Sequence, residues 1–274
     1  LAIIAVALTG ISLRKYHCQQ RAEVGLEEGL AAYEDGRWKD AATSLGRYLI
    51  IHQDDVEVLL KYARSQLRIQ PFKREHLAQA INAYRVVLRN EDNNQAAREI
   101  IDLYLQFGMP AEAELIARRF AEQTQDVNFL LSLAASLAEQ RKYEESQTIL
   151  TQLVEQTPGQ MQAYQMLGEI ADKRPELGVV DARYWYDRAI KENPDSARAY
   201  IMRSNFLAKH DQITAAVEDI HKAEQCDLSD INTHLSLTAA LVQQREYDRA
   251  KTHLETMKAQ APDNEKLWYL YAQL

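Results

Sequence analysis

Apolar residues recur along most of this chain at the spacing of amphipathic helices, most clearly from Val127 to Gln160. Each half of this segment carries an apolar stripe, and the first stripe follows the i, i+3, i+4, i+7 spacing that lines one face of a helix. The stripes are Leu130, Leu133, Ala134 and Leu137, then Ile149, Leu150, Leu153 and Val154. Arg141 and Lys142 between them are polar, and Pro158 ends the second stripe because proline lacks an amide donor. The segment predicts two helices joined by a short turn.

The same pattern returns with a period of 34 residues. Three kinds of residue show this period independently: an alanine, a large residue and a proline, each at a fixed place in the pattern. The members are Ala182, Ala216 and Ala250; Tyr200, His234 and Trp268; and Pro158, Pro194 and Pro262, of which the prolines are separated by 36 and 68 residues. A single pair of amphipathic helices cannot bury its own apolar face, so each pair must stack on the next. The period therefore predicts an array of stacked helix pairs.

The segment from Met161 to Ser196 resembles the tetratricopeptide repeat, whose signature has Leu-Gly and Tyr in its first helix and Ala, an aromatic residue and Pro in its second. The matching residues are Tyr164, Leu167, Gly168, Ala182, Tyr186, Ala189 and Pro194. The resemblance implies an all-α fold, a right-handed α-solenoid of stacked helix-turn-helix repeats. It gives seven units, at 22–55, 56–94, 95–126, 127–160, 161–196, 197–230 and 231–264, and an eighth that opens at Glu265 and is cut off at Leu274.

Residues 1–13 carry no charge and are followed by Arg14, Lys15 and Arg21. Because crossing a bilayer takes roughly 20 helical residues, we interpret this segment as a truncated transmembrane or signal-anchor helix, with a juxtamembrane helix at 14–21. The leader and the first unit also resemble membrane-anchored bacterial members of the family. We expect a single-pass membrane localisation, with the side of the membrane open. A signal-peptide h-region and a buried capping helix are alternative interpretations.

The resemblance also implies a binding surface, since the first helices of successive repeats form the concave face of such an array. It places cationic, amide and aliphatic residues on that face. These partner-binding candidates are Leu60, Arg64, Leu67, Arg68, Arg98, Leu131, Arg198, Ile201, Asn205 and Lys209. Such a surface suits a peptide with acidic groups and a few apolar anchors. Alternatively, the aliphatic side chains pack between units and the cations form a solvated helix face.

The net charge and the absence of known motifs in the sequence exclude several classes of function. The chain has 32 Lys and Arg against 40 Asp and Glu, a net charge of −8, which disfavours nucleic acid as a partner because that binding depends on clustered cations. The seven histidines form no metal-binding or catalytic sequence motif, and neither a glycine-rich nucleotide loop nor a nucleophile elbow occurs. We therefore expect no metal, no cofactor and no enzymatic activity.

The sequence thus predicts a membrane-anchored scaffold or assembly factor that binds a partner protein or peptide on its concave face. The alternative is a regulatory or substrate-docking arm of a larger enzyme whose catalytic domain lies beyond Leu274. Self-association through the end repeats is a further alternative, because an incomplete eighth unit would expose Trp268, Leu270 and Tyr271.

Overall fold

The computed structural model describes residues 2–177 and 180–274, with side chains for residues 16–176 and 180–274. Within these ranges the chain forms fifteen α-helices. They are α1 (Ala2–Glu34), α2 (Trp38–Leu49), α3 (Val56–Arg68), α4 (Arg74–Asn90), α5 (Asn94–Gln106), α6 (Pro110–Thr124), α7 (Val127–Glu139), α8 (Tyr143–Gln156), α9 (Met161–Lys173), α10 (Ala182–Glu192), α11 (Ala197–Lys209), α12 (Ile213–Ala223), α13 (Ile231–Gln243), α14 (Tyr247–Gln260) and α15 (Glu265–Tyr271). A 3₁₀ helix at Pro175–Leu177 follows α9.

The helices belong to two compact units, Leu1–Phe120 and Ala121–Leu274. In the first unit, α1 to α5 pack against one another in chain order. In the second unit, α7 to α15 do the same, and the first helices of successive pairs also contact each other, from α7 through α9, α11 and α13 to α15. The predicted all-α solenoid of stacked helix pairs is therefore confirmed, and in the second unit the first helices form a continuous wall.

Small residues let the helices of the second unit approach closely. Ala134, Ala163 and Ala189 are fully buried in a core that both helices of successive pairs supply. Gly168 shows the closest approach, because a β-carbon at this position would lie 2.4 Å from the Cζ atom of Tyr186. The ring of Tyr186 therefore lies directly against the backbone of α9.

Arg203 on α11 links three helices of the second unit through its guanidinium group. It donates to both carboxylate oxygens of Asp219 on α12, at 2.7 Å each, and to Asp187 on α10 at 2.8 Å. Asp219 is only 2% exposed. A paired and hydrogen-bonded geometry of this kind is what allows a carboxylate to be buried, and it fixes the spacing between neighbouring helix pairs.

Most first helices begin at a side-chain cap. The capping residue has a carboxylate, amide or hydroxyl oxygen that accepts a hydrogen bond from a backbone N–H in the first turn, which would otherwise lack a partner. The caps of α3, α5, α7, α11, α13 and α15 are Asp55, Asn93, Asp126, Ser196, Asp230 and Asn264. These polar residues mark where six of the first helices begin.

The turn inside five of the helix pairs contains one residue in the left-handed backbone region. The following residue donates its N–H to a carbonyl five positions back, at 2.8–2.9 Å, as in a Schellman helix end. The left-handed residues are Gly36, Gly108, Arg141, Asp211 and Arg245, with φ between 59° and 70°. Each lies two positions before its second helix, so one geometry reverses the chain in all five pairs.

The predicted membrane localisation is wrong. Among the described residues, the helices lack the length and apolarity that a bilayer span requires. α1 is 33 residues long, but its uncharged part ends at Leu13. The same helix then continues through Arg14 and Lys15. Leu1 lies outside the described residues.

The close contact at Gly168 predicts a position-specific loss of stability. Gly168→Ala forces a methyl group into the ring of Tyr186, and we expect the free energy of unfolding to fall by about 1–3 kcal/mol in urea denaturation. Gly159→Ala is the matched control, because its nearest neighbour, Asn193 Oδ1, is 3.9 Å from the added carbon. Equal stability of both variants would contradict the packing described here.

A chain of ionisable side chains connects α12, α13 and α14. His234 Nε2 lies 2.8 Å from His253 Nδ1, and His253 Nε2 lies 3.1 Å from the carboxylate of Glu224. Arg249 pairs with the same carboxylate and also contacts His221. Burial lowers the pKa of His234, and the neighbouring imidazole of His253 lowers it further.

This cluster predicts that acid destabilises the end of the second unit. The unfolded chain binds a proton at His234 near pH 6.5, whereas the folded chain resists that proton, so stability falls as the pH drops below about 6.5. We expect the free energy of unfolding to decrease from pH 8 to pH 5.5, and His234→Gln to reduce that slope. His17→Gln, at an exposed position on α1, should leave the slope unchanged. A pH dependence identical in wild type and His234→Gln would exclude this origin.

Candidate functional site

The first helices α9, α11 and α13 border a groove of about 520 Å³ in the second unit, which we call the central groove. Its lining combines apolar, amide and charged side chains. The residues are Gln165, Glu169, Asp172, Lys173, Tyr186, Arg198, Ile201, Met202, Asn205, Phe206, Lys209, Asp230, Asn232, Thr233 and Ser236. Three successive repeats therefore contribute to one surface, which a single helix pair could not form.

The apolar part of the central groove lies beside a row of neighbouring rings, tilted against one another, and includes two largely apolar side chains. The rings of Tyr186 and Phe206 lie 5.0 Å apart, and Phe206 lies 4.6 Å from the ring of His210. Ile201 and Met202 are 3% and 7% exposed. Because neighbours hold these rings on both sides, the apolar lining is formed before any ligand arrives.

At one end of the central groove, Asp172 on α9 is paired with two residues from the end of α11. Lys209 donates to one carboxylate oxygen, and His210 Nε2 lies 2.7 Å from the other. Burial alone would raise the pKa of Asp172, but the hydrogen bonds from Lys209 and His210 outweigh it and lower the pKa. Asp172 is therefore an ionised carboxylate, and it balances the charge of Lys209.

At the other end, Asp230 caps α13. Its carboxylate accepts hydrogen bonds from the hydroxyl and the backbone N–H of Thr233, at 2.6 and 2.8 Å. These hydrogen bonds lower the pKa of Asp230, and the positive charge of Arg198 on α11 adds to the effect. Arg198 is exposed, so its guanidinium group faces solvent at the mouth of the groove.

Between the two ends, the central groove presents amide side chains. Asn205 on α11 and Asn232 on α13 are exposed, and Gln165 on α9 donates to Glu169 at 2.9 Å. A side-chain amide offers both a donor and an acceptor, which is the same pair of groups that a peptide backbone presents. The surface can therefore form hydrogen bonds with an extended chain along its middle.

Four of the predicted binding residues come together in the central groove: Arg198, Ile201, Asn205 and Lys209. The sequence did not identify Tyr186, Met202, Phe206, Asp230, Thr233 or Ser236 as members of this site. These residues lie on a second helix, at a cap or between the positions that the family comparison assigns to the concave face. For Asp230, the capping preference before a helix was the available signal.

Three of the predicted binding residues, Arg64, Arg68 and Arg98, lie in the first unit. Arg64 on α3 makes a two-pronged ion pair with Glu99 on α5, at 2.6 and 2.9 Å, and Glu99 also accepts from the hydroxyl of Tyr84 at 2.7 Å. Burial opposes ionisation of Glu99, but the hydrogen bonds from Arg64 and Tyr84 lower its pKa. Arg64 thus connects successive repeats inside the first unit.

Arg68 and Arg98 are exposed. The guanidinium group of Arg68 lies over the ring of Trp38, 4.5 Å from its centre, in a cation–π contact. Arg98 lies on α5, one residue before Glu99. Arg64 is therefore half-buried in an ion pair, whereas Arg68 is exposed over an aromatic ring.

The remaining aliphatic candidates are mostly buried. Leu60 and Leu131 are 8% and 4% exposed, and Leu131 belongs to the core of the second unit. Leu67 is half-buried. Packing between helices thus accounts for Leu60 and Leu131, whereas Ile201 is buried and also lines the central groove.

In the portions of the chain that the structure describes, no group of three or more His, Cys, Asp or Glu is arranged to hold a metal ion. The end of the second unit carries the residues considered for self-association. Leu270 is 6% exposed and belongs to the core, whereas Trp268 is 46% exposed and stacks on Tyr271. Self-association through these residues stays a prediction.

The ion pair of Arg64 predicts a structural rather than a binding role for this residue. Arg64→Gln leaves Glu99 and Tyr84 without their cation, so we expect the free energy of unfolding to fall by about 1–3 kcal/mol. Arg68→Gln is the control and should cost less than about 1 kcal/mol, because it removes an exposed cation–π contact. Denaturant titrations compare the two, and a larger loss for Arg68→Gln would contradict this assignment.

Comparison with known proteins is consistent with this architecture. A family model described as tetratricopeptide repeat matches residues 131–197. A search of curated proteins gives no significant match. A tetratricopeptide repeat protein from Parabacteroides merdae is similar in structure, with 16% sequence identity and a TM-score of 0.54, over 93% of this chain and 98% of that chain.

Two other solved structures resemble the chain less closely. A thermophilic tetratricopeptide repeat protein from Thermus thermophilus has 18% identity and a TM-score of 0.47, over 66% of this chain and 97% of that one. YrrB, described as a tetratricopeptide repeat protein with an unusual peptide-binding site, has 16% identity and a TM-score of 0.49, over 62% and 86%. The chain thus has the fold of tetratricopeptide repeat proteins, and its residues 131–197 match the model of that repeat family.

Proposed function

We propose that this protein is a non-catalytic scaffold that binds an extended segment of a partner protein in the central groove. The observation that carries the proposal is the convergence of α9, α11 and α13 on one groove with apolar, amide and charged lining. The seven-unit division at 22–264 is part of the same proposal, since the groove requires equivalent helices of successive units to lie side by side.

The lining of the central groove has the composition of a protein interface. Apolar side chains such as Ile201 and Met202 lie at its base, and polar side chains such as Asn205 and Asn232 lie at its rim. Interfaces combine an apolar centre with a polar edge, because the centre supplies the burial energy and the edge supplies hydrogen bonds. A partner segment would place an apolar side chain over the base and pair its backbone with the amides.

The charged groups favour a partner of mixed charge. Lys209 and Asp172 neutralise each other at one end, and Arg198 faces Asp230 at the other. A strongly acidic or strongly basic segment would therefore meet one unfavourable charge at each end. We expect specificity to arise from the spacing of apolar and hydrogen-bonding groups rather than from net charge.

The proposal predicts the effect of removing the groove amides. Peptides are selected from a displayed random library with the whole protein, and their affinities are measured by calorimetry. We expect the double variant Asn205→Ala, Asn232→Ala to weaken binding of the selected peptides by about thirtyfold, because two lost hydrogen bonds cost about 2 kcal/mol together. Asn82→Ala, on the exposed side of α4, is the control and should leave affinity unchanged.

The same experiment includes Ile201→Asp, which places a charge at the base of the central groove and should abolish binding. Circular dichroism establishes that each variant is folded. If the selected peptides bind folded groove variants as tightly as they bind wild type, the central groove is not the binding site.

A further inference from the structure

A second surface lies on the first unit, between α4 and α6, and we call it the arginine groove. It encloses about 370 Å³. Arg85 and Arg89 stand one helical turn apart on α4, and Leu115 and Arg119 stand one turn apart on α6. Residues four apart on a helix lie on the same face, so each helix contributes one wall of the groove.

The arginine groove has an apolar base and an unusual exposed leucine. Leu88 and Tyr104 at the base are 6% and 1% exposed. Leu115 is 75% exposed, the highest value among the large hydrophobic side chains that the structure describes. Ile116 beside it is half-buried. A single exposed leucine is ordinary, but one that borders a groove with an apolar base extends a continuous apolar surface.

Two of the arginines are held in place by the protein itself. Arg85 donates to the hydroxyl of Tyr104 at 2.9 Å, and its guanidinium group lies 5.8 Å from the centre of that ring. Arg119 donates to the carbonyl of Leu88 at 3.3 and 3.4 Å, and it pairs with Asp92. Fixing these long side chains in advance lowers the entropy cost of binding an anion.

The charge of this surface is opposite to that of the chain as a whole. The arginine groove is lined by three arginines and by one carboxylate, Glu112, on a chain of net charge −8. Asp92 pairs with Arg119 at its edge. Arginine forms two parallel hydrogen bonds with a carboxylate, so the walls match acidic side chains while the base matches an aliphatic one.

We propose that the arginine groove binds an acidic amphipathic helix of a partner protein, independently of the central groove. The one-turn spacing of Arg85 and Arg89 equals the spacing of glutamates four residues apart on a bound helix. Such a helix places an aliphatic side chain against Leu88, Tyr104 and Leu115. The recognition mode is a helix in a groove, with acidic residues on both sides of the apolar stripe.

The probe is a labelled amphipathic peptide of about five helical turns, with leucine at helical spacing on one face and glutamate elsewhere. A second peptide has lysine in place of every glutamate. Binding to the whole protein is measured by fluorescence anisotropy. We expect the glutamate peptide to bind, and Arg89→Glu and Leu115→Asp each to weaken it by about tenfold or more.

Arg74→Glu is the matched control, since Arg74 is exposed on the same helix outside the arginine groove. It should leave the affinity unchanged, and circular dichroism confirms that all variants fold. Arg89→Glu should also improve binding of the lysine peptide, which supports direct contact between charges.

Three results would overturn the proposal. The first is equal affinity of the glutamate peptide for wild type and for folded Arg89→Glu and Leu115→Asp. The second is a loss on Arg89→Glu with no effect of Leu115→Asp, which would indicate a general anion site. The third is self-association of the wild type in light scattering that Arg89→Glu abolishes, because the occupant would then be a second copy of this chain.

Discussion

The structure depends on one constraint: a pair of amphipathic helices exposes an apolar face that another pair must cover. In the second unit this burial joins both helices of one pair to the first helix of the next, as the core around Tyr164 and Leu167 shows. The same stacking brings α9, α11 and α13 side by side. The central groove is therefore a product of repeat packing rather than of a separate local fold.

Ion pairs between successive helix pairs fix the relative position of the helices, which apolar packing alone leaves adjustable. Arg64 reaches Glu99 across 35 residues of sequence, and Lys209 reaches Asp172 across 37. Both distances in sequence are close to one repeat, so these links join neighbouring repeats. Because apolar contact has no preferred direction, a paired charge with defined geometry restricts how far one helix can slide along the next.

The sequence was sufficient for the fold because a period is a property of many positions at once. It was less informative about individual side chains. The charge of Arg64 was visible, but its partner Glu99 belongs to the next repeat, and pairing depends on rotation of one helix against another. Leu131 lies at a position that the family resemblance assigns to the binding face, but its side chain is buried in the core. An apolar stretch of thirteen residues suggested a membrane anchor, yet the helix that contains it lacks the length of apolar surface to span a bilayer.

Part of the central groove could also be predicted from the sequence. Arg198, Ile201, Asn205 and Lys209 all lie on α11, at positions that the family resemblance assigns to the concave face. Tyr186 reaches the groove from a second helix because Gly168 leaves room for its ring. This contact depends on the missing side chain of Gly168, and the periodic pattern of apolar residues does not show that Tyr186 fills the space.

The left-handed turns have a consequence for how the chain accommodates added sequence. The five turns inside helix pairs that contain a left-handed residue are each three residues long, whereas the connections between pairs vary from two residues at 125–126 to seven at 224–230. The backbone hydrogen bond that closes each of these five turns fixes the length of the turn. A connection between pairs can be lengthened at small entropic cost. A reporter domain inserted at 224–230 would therefore preserve the packing of the helices. The same insertion at 140–142 would separate α7 from α8, which bury each other's apolar faces.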